Sequence, residues 1–254
     1  MEVEYEKQGR TAIITLNRPE ARNAVNGALA RRMEEILDDY EADPELWVAI
    51  LTANGSAFCA GADLKEIAAG RGHELGTRKG GFAGLVMRER TKPLIAAITG
   101  SALAGGTEIA LACDMIVCSN ETVFGLPEVK RALVAAAGGL FRLPRAIGMA
   151  PALELIMTGD PLPADRAHQL GMVNHVVPAG DVMQAAKALA ARVVAAAPLA
   201  VQRSRGVAIR AFTDDDATLW RDGATAFVEN AQTQDFKEGP RAFIEKRAPR
   251  WTGR

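Results

Sequence analysis

Histidine, cysteine and charge of one sign are all scarce in this chain, and each shortage closes off a line of function. The three histidines, His73, His168 and His175, have no ligand-like spacing, which argues against a metal site. The three cysteines, Cys59, Cys113 and Cys118, lie among apolar neighbours and are too few for a disulfide framework. Thirty basic and thirty-one acidic side chains leave a net charge of −1, without the surplus of Lys and Arg that a nucleic-acid partner requires. No apolar run reaches membrane-spanning length, and the most apolar helical stretch, near 185–197, is interrupted by Lys187 and Arg192. Residues 1–7 alternate and are acidic, the opposite of a signal peptide. The expectation is a cytoplasmic protein with neither nucleic acid nor membrane as partner.

The 254 residues suffice for one large domain or two small ones. Residues 2–7 and 11–16 read as two strands about a turn at 8–10. Asn26 reads as an N-cap, followed by Leu29, Met33, Ile36, Leu37 and Tyr40 at helical spacing until Asp43-Pro44. Residues 47–52, 94–98 and 115–118 are short apolar strands of the kind buried on both faces. Between them, 53–63 reads as a loop, 64–70 as a helical turn, 70–81 as a mobile connection and 80–91 as a helix. A further helix is expected at 105–112. Beyond 140, helical patterns follow one another at 138–146, 150–158, 163–169, 181–196, 198–211, 214–232 and 235–246, with one strand at 172–177. The fold class is α/β with largely parallel sheets. Residues 1–195 form the core that carries the site, and 196–254 a helical C-terminal region.

Two glutamates stand out against this background. Glu108 lies in Gly105-Gly106-Thr107-Glu108-Ile109-Ala110-Leu111-Ala112, among small and apolar residues. Glu128 follows Phe124-Gly125-Leu126-Pro127. A carboxylate in such company is either held by hydrogen bonds or has a raised pKa. Two that converge on one cleft can divide acid and base work.

Two glycine loops bear on the same question. Gly100-Ser101-Ala102-Leu103-Ala104-Gly105-Gly106-Thr107 is a phosphate-binding loop in all but its lysine, replaced by Gly106, so nucleotide chemistry is disfavoured. What remains is a helix N-terminus whose free N–H groups suit an oxyanion, or glycines that merely let a helix pack closely. The second loop, Ala57-Phe58-Cys59-Ala60-Gly61-Ala62-Asp63-Leu64-Lys65, also leads from an apolar strand region into a helical turn. Cys59 reads as a small buried hydrophobe rather than a nucleophile, and Asp63 as a helix cap rather than a catalyst.

Read together, these motifs resemble the crotonase (enoyl-CoA hydratase/isomerase) superfamily. The resemblance covers essentially the whole chain, from Asn17-Arg18-Pro19-Glu20-Ala21-Arg22-Asn23-Ala24 to Glu238-Gly239-Pro240-Arg241-Ala242-Phe243-Ile244-Glu245-Lys246-Arg247. It implies a spiral of ββα units with a helical C-terminal layer that supports a homotrimer or a dimer of trimers. It places an oxyanion hole at the N–H groups of Ala62 and Gly105, with Glu108 and Glu128 holding and activating a water. Arg22, Ala24, Ala60, Asp63, Leu64 and Lys65 fall on the CoA-binding surface. Lys65 and Lys246 fall on candidate phosphate contacts and Phe243 near the adenine, supplied across a subunit boundary; ordinary solvated lysine is the competing reading for both lysines.

With both carboxylates present, the implied reaction is addition of water to a 2-enoyl-CoA, giving a 3-hydroxyacyl-CoA, with CoA as part of the substrate and no separate cofactor. Alternatives are an enoyl-CoA isomerase, other crotonase chemistry including carnitine-type hydration, and a non-catalytic acyl-CoA-binding protein. Two departures from the hydratase pattern bear on substrate choice. Ala104 stands where the family often has glycine. Ala136 stands where a glycine N–H often helps to hold the water. The stretch 126–145 and the closing Trp251-Thr252-Gly253-Arg254 are similar to members that act on branched or carnitine-type acyl groups.

Overall fold

Alternating side chains fold Val3–Gln8 (β1) and Thr11–Leu16 (β2) into an antiparallel hairpin, with Tyr5 opposite Ile14. The computed structural model describes residues 1–254. The Asn26 side chain accepts the Leu29 N–H at 2.8 Å and starts helix α1 (Gly27–Ala42), whose stripe of Leu29, Met33, Ile36, Leu37 and Tyr40 is fully buried. Pro44 keeps Asp43 extended and ends the helix there.

A unit then recurs that leaves no trace as a repeat in the sequence. Strand β3 (Val48–Ala53) is followed by β4 (Ala57–Cys59) and helix α2 (Leu64–Ala68). A small hairpin, β5 (Gly76–Thr77) and β6 (Gly81–Phe82), intervenes. Strands β7 (Leu94–Ile98) and β8 (Ser101–Leu103) lead to α3 (Gly105–Ala112). Strands β9 (Met115–Ser119) and β10 (Val123–Gly125) lead to a 3₁₀ turn at Pro127–Arg131. Helices α4 (Gly139–Ile147) and α5 (Met149–Thr158) follow, then β11 (Leu162–Pro163), α6 (Ala164–Gln169), β12 (His175–Val177) and α7 (Val182–Val194). Helices α8 (Pro198–Ala208), α9 (Asp216–Ala231) and α10 (Gln234–Ile244) complete the chain.

The first strand of each unit joins a six-stranded sheet in the order β1-β2-β3-β7-β9-β12, and the second joins a four-stranded sheet in the order β11-β10-β8-β4. All pairings from β2 to β12 in the first sheet are parallel, as are β4-β8-β10 in the second. This is the crotonase-like spiral. Strand β3 explains why the large sheet is covered on both sides. Ala49 and Leu51 join the main core with α1, while Val48 and Ile50 meet Val182, Ala186, Leu189 and Ala190 of α7 on the other face. Each Val, Leu or Ile among them contributes about 1.5–3 kcal/mol on full burial.

Three sequence expectations need correction. No helix forms over 80–91. Gly81 and Gly84 take positive φ, at +65° and +68°, so the chain turns tightly there instead of continuing in helical geometry. The loops at 53–63 and 99–104 each contain a three-residue strand, β4 and β8. The strand expected at 172–177 pairs only over β12.

Candidate active site

The second sheet explains why distant motifs meet. Strands β4, β8 and β10 lie side by side and parallel, so the segments leaving their C-terminal ends open on one side. Those segments are 60–63, the start of α3, and the 3₁₀ turn that holds Glu128. Thr107 ties them together: its hydroxyl lies 2.6 Å from the Ala102 carbonyl oxygen and accepts the Gly125 N–H at 3.0 Å, linking α3 to β8 and β10.

The two glycine loops touch. A side chain on Gly61 would begin 3.0 Å from the Gly105 nitrogen and 2.8 Å from the Ala104 Cβ, and one on Gly106 would strike the Cys59 carbonyl. Close packing therefore does explain these glycines, and it also brings two amides to one place. The Ala62 N–H makes no hydrogen bond within the chain, although its neighbours are committed: Ala60 N–H to the Arg22 carbonyl at 3.0 Å and Asp63 N–H to that of Val25 at 2.9 Å. Gly105 is the first residue of α3, where a backbone N–H has no intrahelical acceptor. Phe82 covers this end of the helix, since a side chain on Gly105 would collide with its ring.

Glu108 and Glu128 converge on the same cleft. Glu108 is only 3% exposed, and its Oε1 accepts the Gly139 N–H at 2.9 Å. Burial pushes its carboxyl above the usual range, the Gly139 amide pulls it back, and the neighbouring Glu128 charge pushes it up again. Burial likewise raises Glu128, with Arg131 opposing. The Oε2 of Glu128 is buried and has no protein partner, so this oxygen is left for something in the cleft.

The cleft encloses about 1700 Å³ and is lined by every residue expected from sequence at the oxyanion loop and CoA surface: Arg22, Ala24, Ala60, Ala62, Asp63, Leu64, Lys65 and Gly105. Asp63 caps α2 by accepting the Lys65 N–H at 3.1 Å and pairs with Arg18 at 3.2 Å, so its carboxylate is committed. Cys59 is wholly buried, and burial pushes its thiol up to about 12; a thiolate nucleophile does not form there. Phe243 and Lys246 do not line the cleft of their own chain, and Phe243 is 86% exposed at the end of α10.

Ala136 departs from its expected part. Its N–H is turned inward to the Val134 carbonyl at 2.8 Å, and the amides acting on Glu108 belong to Gly139 and Ala137. Sequence reasoning also missed the far wall: Met87, Leu133, Val134, Phe141 and Arg142 line it, all but Arg142 exposed apolar side chains. A run of exposed apolar residues just past Glu128 was the signal available for it.

Similarity to known proteins agrees with this geometry. A family model described as enoyl-CoA hydratase/isomerase matches residues 6–254. The chain is 40% identical to carnitinyl-CoA dehydratase of Proteus mirabilis (strain HI4320), covering 97% of each sequence. It is 39% identical to short-chain-enoyl-CoA hydratase of Clostridium acetobutylicum, covering 95% of this chain and 94% of that one. The solved structure of an enoyl-CoA hydratase from Mycobacterium tuberculosis H37Rv superposes with a TM-score of 0.96 at 47% identity, covering 100% of this chain and 99% of the other. The chain belongs to the enoyl-CoA hydratase/isomerase family of the crotonase superfamily.

Proposed function

We propose that the protein is an enoyl-CoA hydratase that adds water across the 2,3-double bond of a 2-enoyl-CoA thioester. The observation that carries this reading is the pair of carboxyls, buried Glu108 and half-buried Glu128 with its buried Oε2, facing one cleft beside the Ala62 and Gly105 amides. The thioester carbonyl oxygen sits between those two N–H groups, which stabilise the enolate that forms when water adds at C3. Loss of one such donor typically costs about two to three orders of magnitude in rate. One carboxylate orients the water and takes its proton; the other, protonated, delivers a proton to C2 as the enolate collapses. The proton taken from the water then passes to the carboxylate that served C2, which restores the starting protonation state, so the net change is addition of one water to give a 3-hydroxyacyl-CoA. Glu128, with its unpartnered Oε2, suits the main proton transfer, and Glu108, fixed by Gly139, suits the orientation of the water. Burial raises both carboxyls, and the Glu128 charge pushes Glu108 up further, which favours one protonated and one ionised carboxyl.

Arg22 and Lys65, at the mouth of the cleft, take the CoA moiety. Phe243 and Lys246 complete that surface on a neighbouring copy in a homotrimer or dimer of trimers. Trp220, Phe227, Phe243 and Ile244, all exposed on α9 and α10, support such association. A cytoplasmic location goes with this reading, since all three cysteines are free thiols.

The test is to incubate the purified protein with crotonyl-CoA and follow loss of the conjugated thioester absorbance. Turnover is expected. Binding of enoyl-CoA esters without turnover at any chain length would establish a non-catalytic acyl-CoA binder instead, and conversion of a 3-enoyl ester without hydration would establish an isomerase.

A further inference from the structure

The acyl wall of the cleft carries an arrangement of charge that bears on which acyl group it accepts. Phe141 is the aromatic residue that α4 presents to the cleft, about half exposed. Two guanidinium groups already lie over its ring: Arg142 and Arg145, each with its central carbon 5.1 Å from the ring centroid. Arg142 is held in place by the Val86 carbonyl at 2.6 Å and the Ala137 carbonyl at 3.3 Å. These are neutral acceptors, so its charge is left without a bonded carboxylate. Arg131 adds a third positive charge beside Glu128.

A quaternary ammonium group is recognised by open aromatic faces and by nearby carboxylates. Of the two phenylalanines that line the cleft, Phe82 is packed against Gly105 at the start of α3, and the Phe141 ring is occupied by cations. The carboxylates at this end of the cleft are Glu108, which acts on Arg142 without a hydrogen bond to it, and Glu128, which lies beside Arg131, while Asp63 and Glu66 at the other end are paired with Arg18 and Arg71. Around the arginines the wall is apolar, with Met87, Leu133 and Val134 exposed to the cleft.

We infer that Phe141, Arg142 and Arg145 form a charge filter at the acyl end, which turns away quaternary-ammonium acyl groups and leaves neutral 2-enoyl-CoA esters as the substrate class. The inference rests on the hydratase reading above and separates two activities carried by relatives of similar identity.

The experiment compares kcat/KM and Kd for two four-carbon 2-enoyl-CoA esters, one ending in methyl and one in trimethylammonium. The methyl ester is expected to be preferred by about a hundredfold or more, since each positive charge roughly 12 Å away contributes about a factor of ten at an effective dielectric of 20. Arg145, which lies over the Phe141 ring but does not itself line the cleft, supplies the decisive variant. Arg145→Gln is expected to narrow the preference about tenfold by improving the cationic ester alone, while Arg145→Lys keeps it. Equal use of both esters by the natural protein, or a preference unmoved in Arg145→Gln, overturns the filter. Absence of turnover of the methyl ester would instead count against the hydratase reading. The filter would then be judged on the Kd values, where tighter or equal binding of the cationic ester refutes it.

Discussion

Helix α3 separates two acidic sites, the buried Glu108 and the half-buried Asp114, whose surroundings could hardly differ more. Asp114, two residues past its end, is clasped by arginine on both sides. Its Oδ2 accepts from Arg90 Nη1 at 3.0 Å and from the Leu94 N–H at 2.8 Å, and its Oδ1 accepts from Arg205 Nε at 2.8 Å. Burial alone would raise this carboxyl, and the two guanidinium groups more than reverse it, holding it below the usual range. Glu108, inside the helix, has the Gly139 and Ala137 amides and no bonded arginine, and burial leaves it raised. Burial pushes both carboxyls up, yet they end on opposite sides of the usual range, and what decides is whether a cation stands within hydrogen-bond reach. Asp114 joins β7, the end of α3 and helix α8 into one framework, whereas the glutamates are left able to exchange protons.

The comparison breaks first at the glutamates. Glu108→Gln and Glu128→Gln, made separately, are expected to lower the kcat for hydration by about 10²–10⁴-fold, the usual range for removing a general acid or base. Neither substitution should destabilise the fold, because each removes a carboxyl whose charged form burial disfavours and which has no ion-pair partner. Exchange of the C2 proton should fall most in Glu128→Gln. Near-normal hydration in both variants would remove the catalytic half of the comparison.

At the other end the expectation inverts. Asp114→Ala strands two arginines in a buried setting and should cost about 3–5 kcal/mol of stability, the range for breaking one partner of a buried ion pair. Urea denaturation monitored by circular dichroism measures it. Where the fold survives, the chemical step should change little, since Asp114 does not line the cleft. A loss below about 1 kcal/mol would place Asp114 among ordinary surface pairs.

The pH dependence of the same variants sharpens the contrast through its sign. A carboxyl raised in the folded state contributes stability below its unfolded pKa and loses it as pH rises through the folded value. The benefit of Glu108→Gln over the natural protein should therefore grow from about pH 4 towards neutrality. Asp114 is lowered, so its contribution is present above about pH 4 and is lost as pH falls through its folded value. The deficit of Asp114→Asn should shrink on acidification. Stability differences of both variants that run with pH in the same direction would contradict the assignment.

The sequence disclosed the two acidic sites unequally. Glu108 and Glu128 were conspicuous because carboxylates among Ala, Gly, Ile and Leu are costly to leave unpaired. Asp114 looked like a residue between a helix and a strand, and its partners lie 24 and 91 positions away, beyond any local pattern. The helix cap at Asn26 and the double-sided burial of β3 were legible from spacing. Strands β4 and β8 were not: three residues are too short to display alternation, yet their parallel pairing sets the cleft. Arg142 was hidden for a related reason. One arginine in an amphipathic helix reads as solvated, and only the fold turns it towards the cleft. The helix expected over 80–91 failed where positive-φ glycines override apolar spacing.

The smallest effect concerns the backbone where α3 begins. Ala104 caps the helix with φ 52° and ψ −126°, a conformation that suits glycine. A non-glycine residue there costs about 1–3 kcal/mol, and it persists because the structure on either side fixes it. Those fixings are visible: its N–H bonds the Gly125 carbonyl at 2.9 Å, and its carbonyl accepts the N–H groups of Thr107 and Glu108. Replacing the residue with glycine relieves the Cβ strain but adds about 0.5–1 kcal/mol of unfolded-chain entropy. The expected net gain for Ala104→Gly is therefore about 1 kcal/mol, read as a higher denaturation midpoint. Asp114, past the other end of α3, lies outside the positive-φ segments, so the same helix stores strain beside the chemistry and not beside the framework. A fall in stability on Ala104→Gly would mean that the alanine methyl packs more favourably against Gly61 than its backbone angle costs, and that the glycine loops are held by contact rather than by conformation.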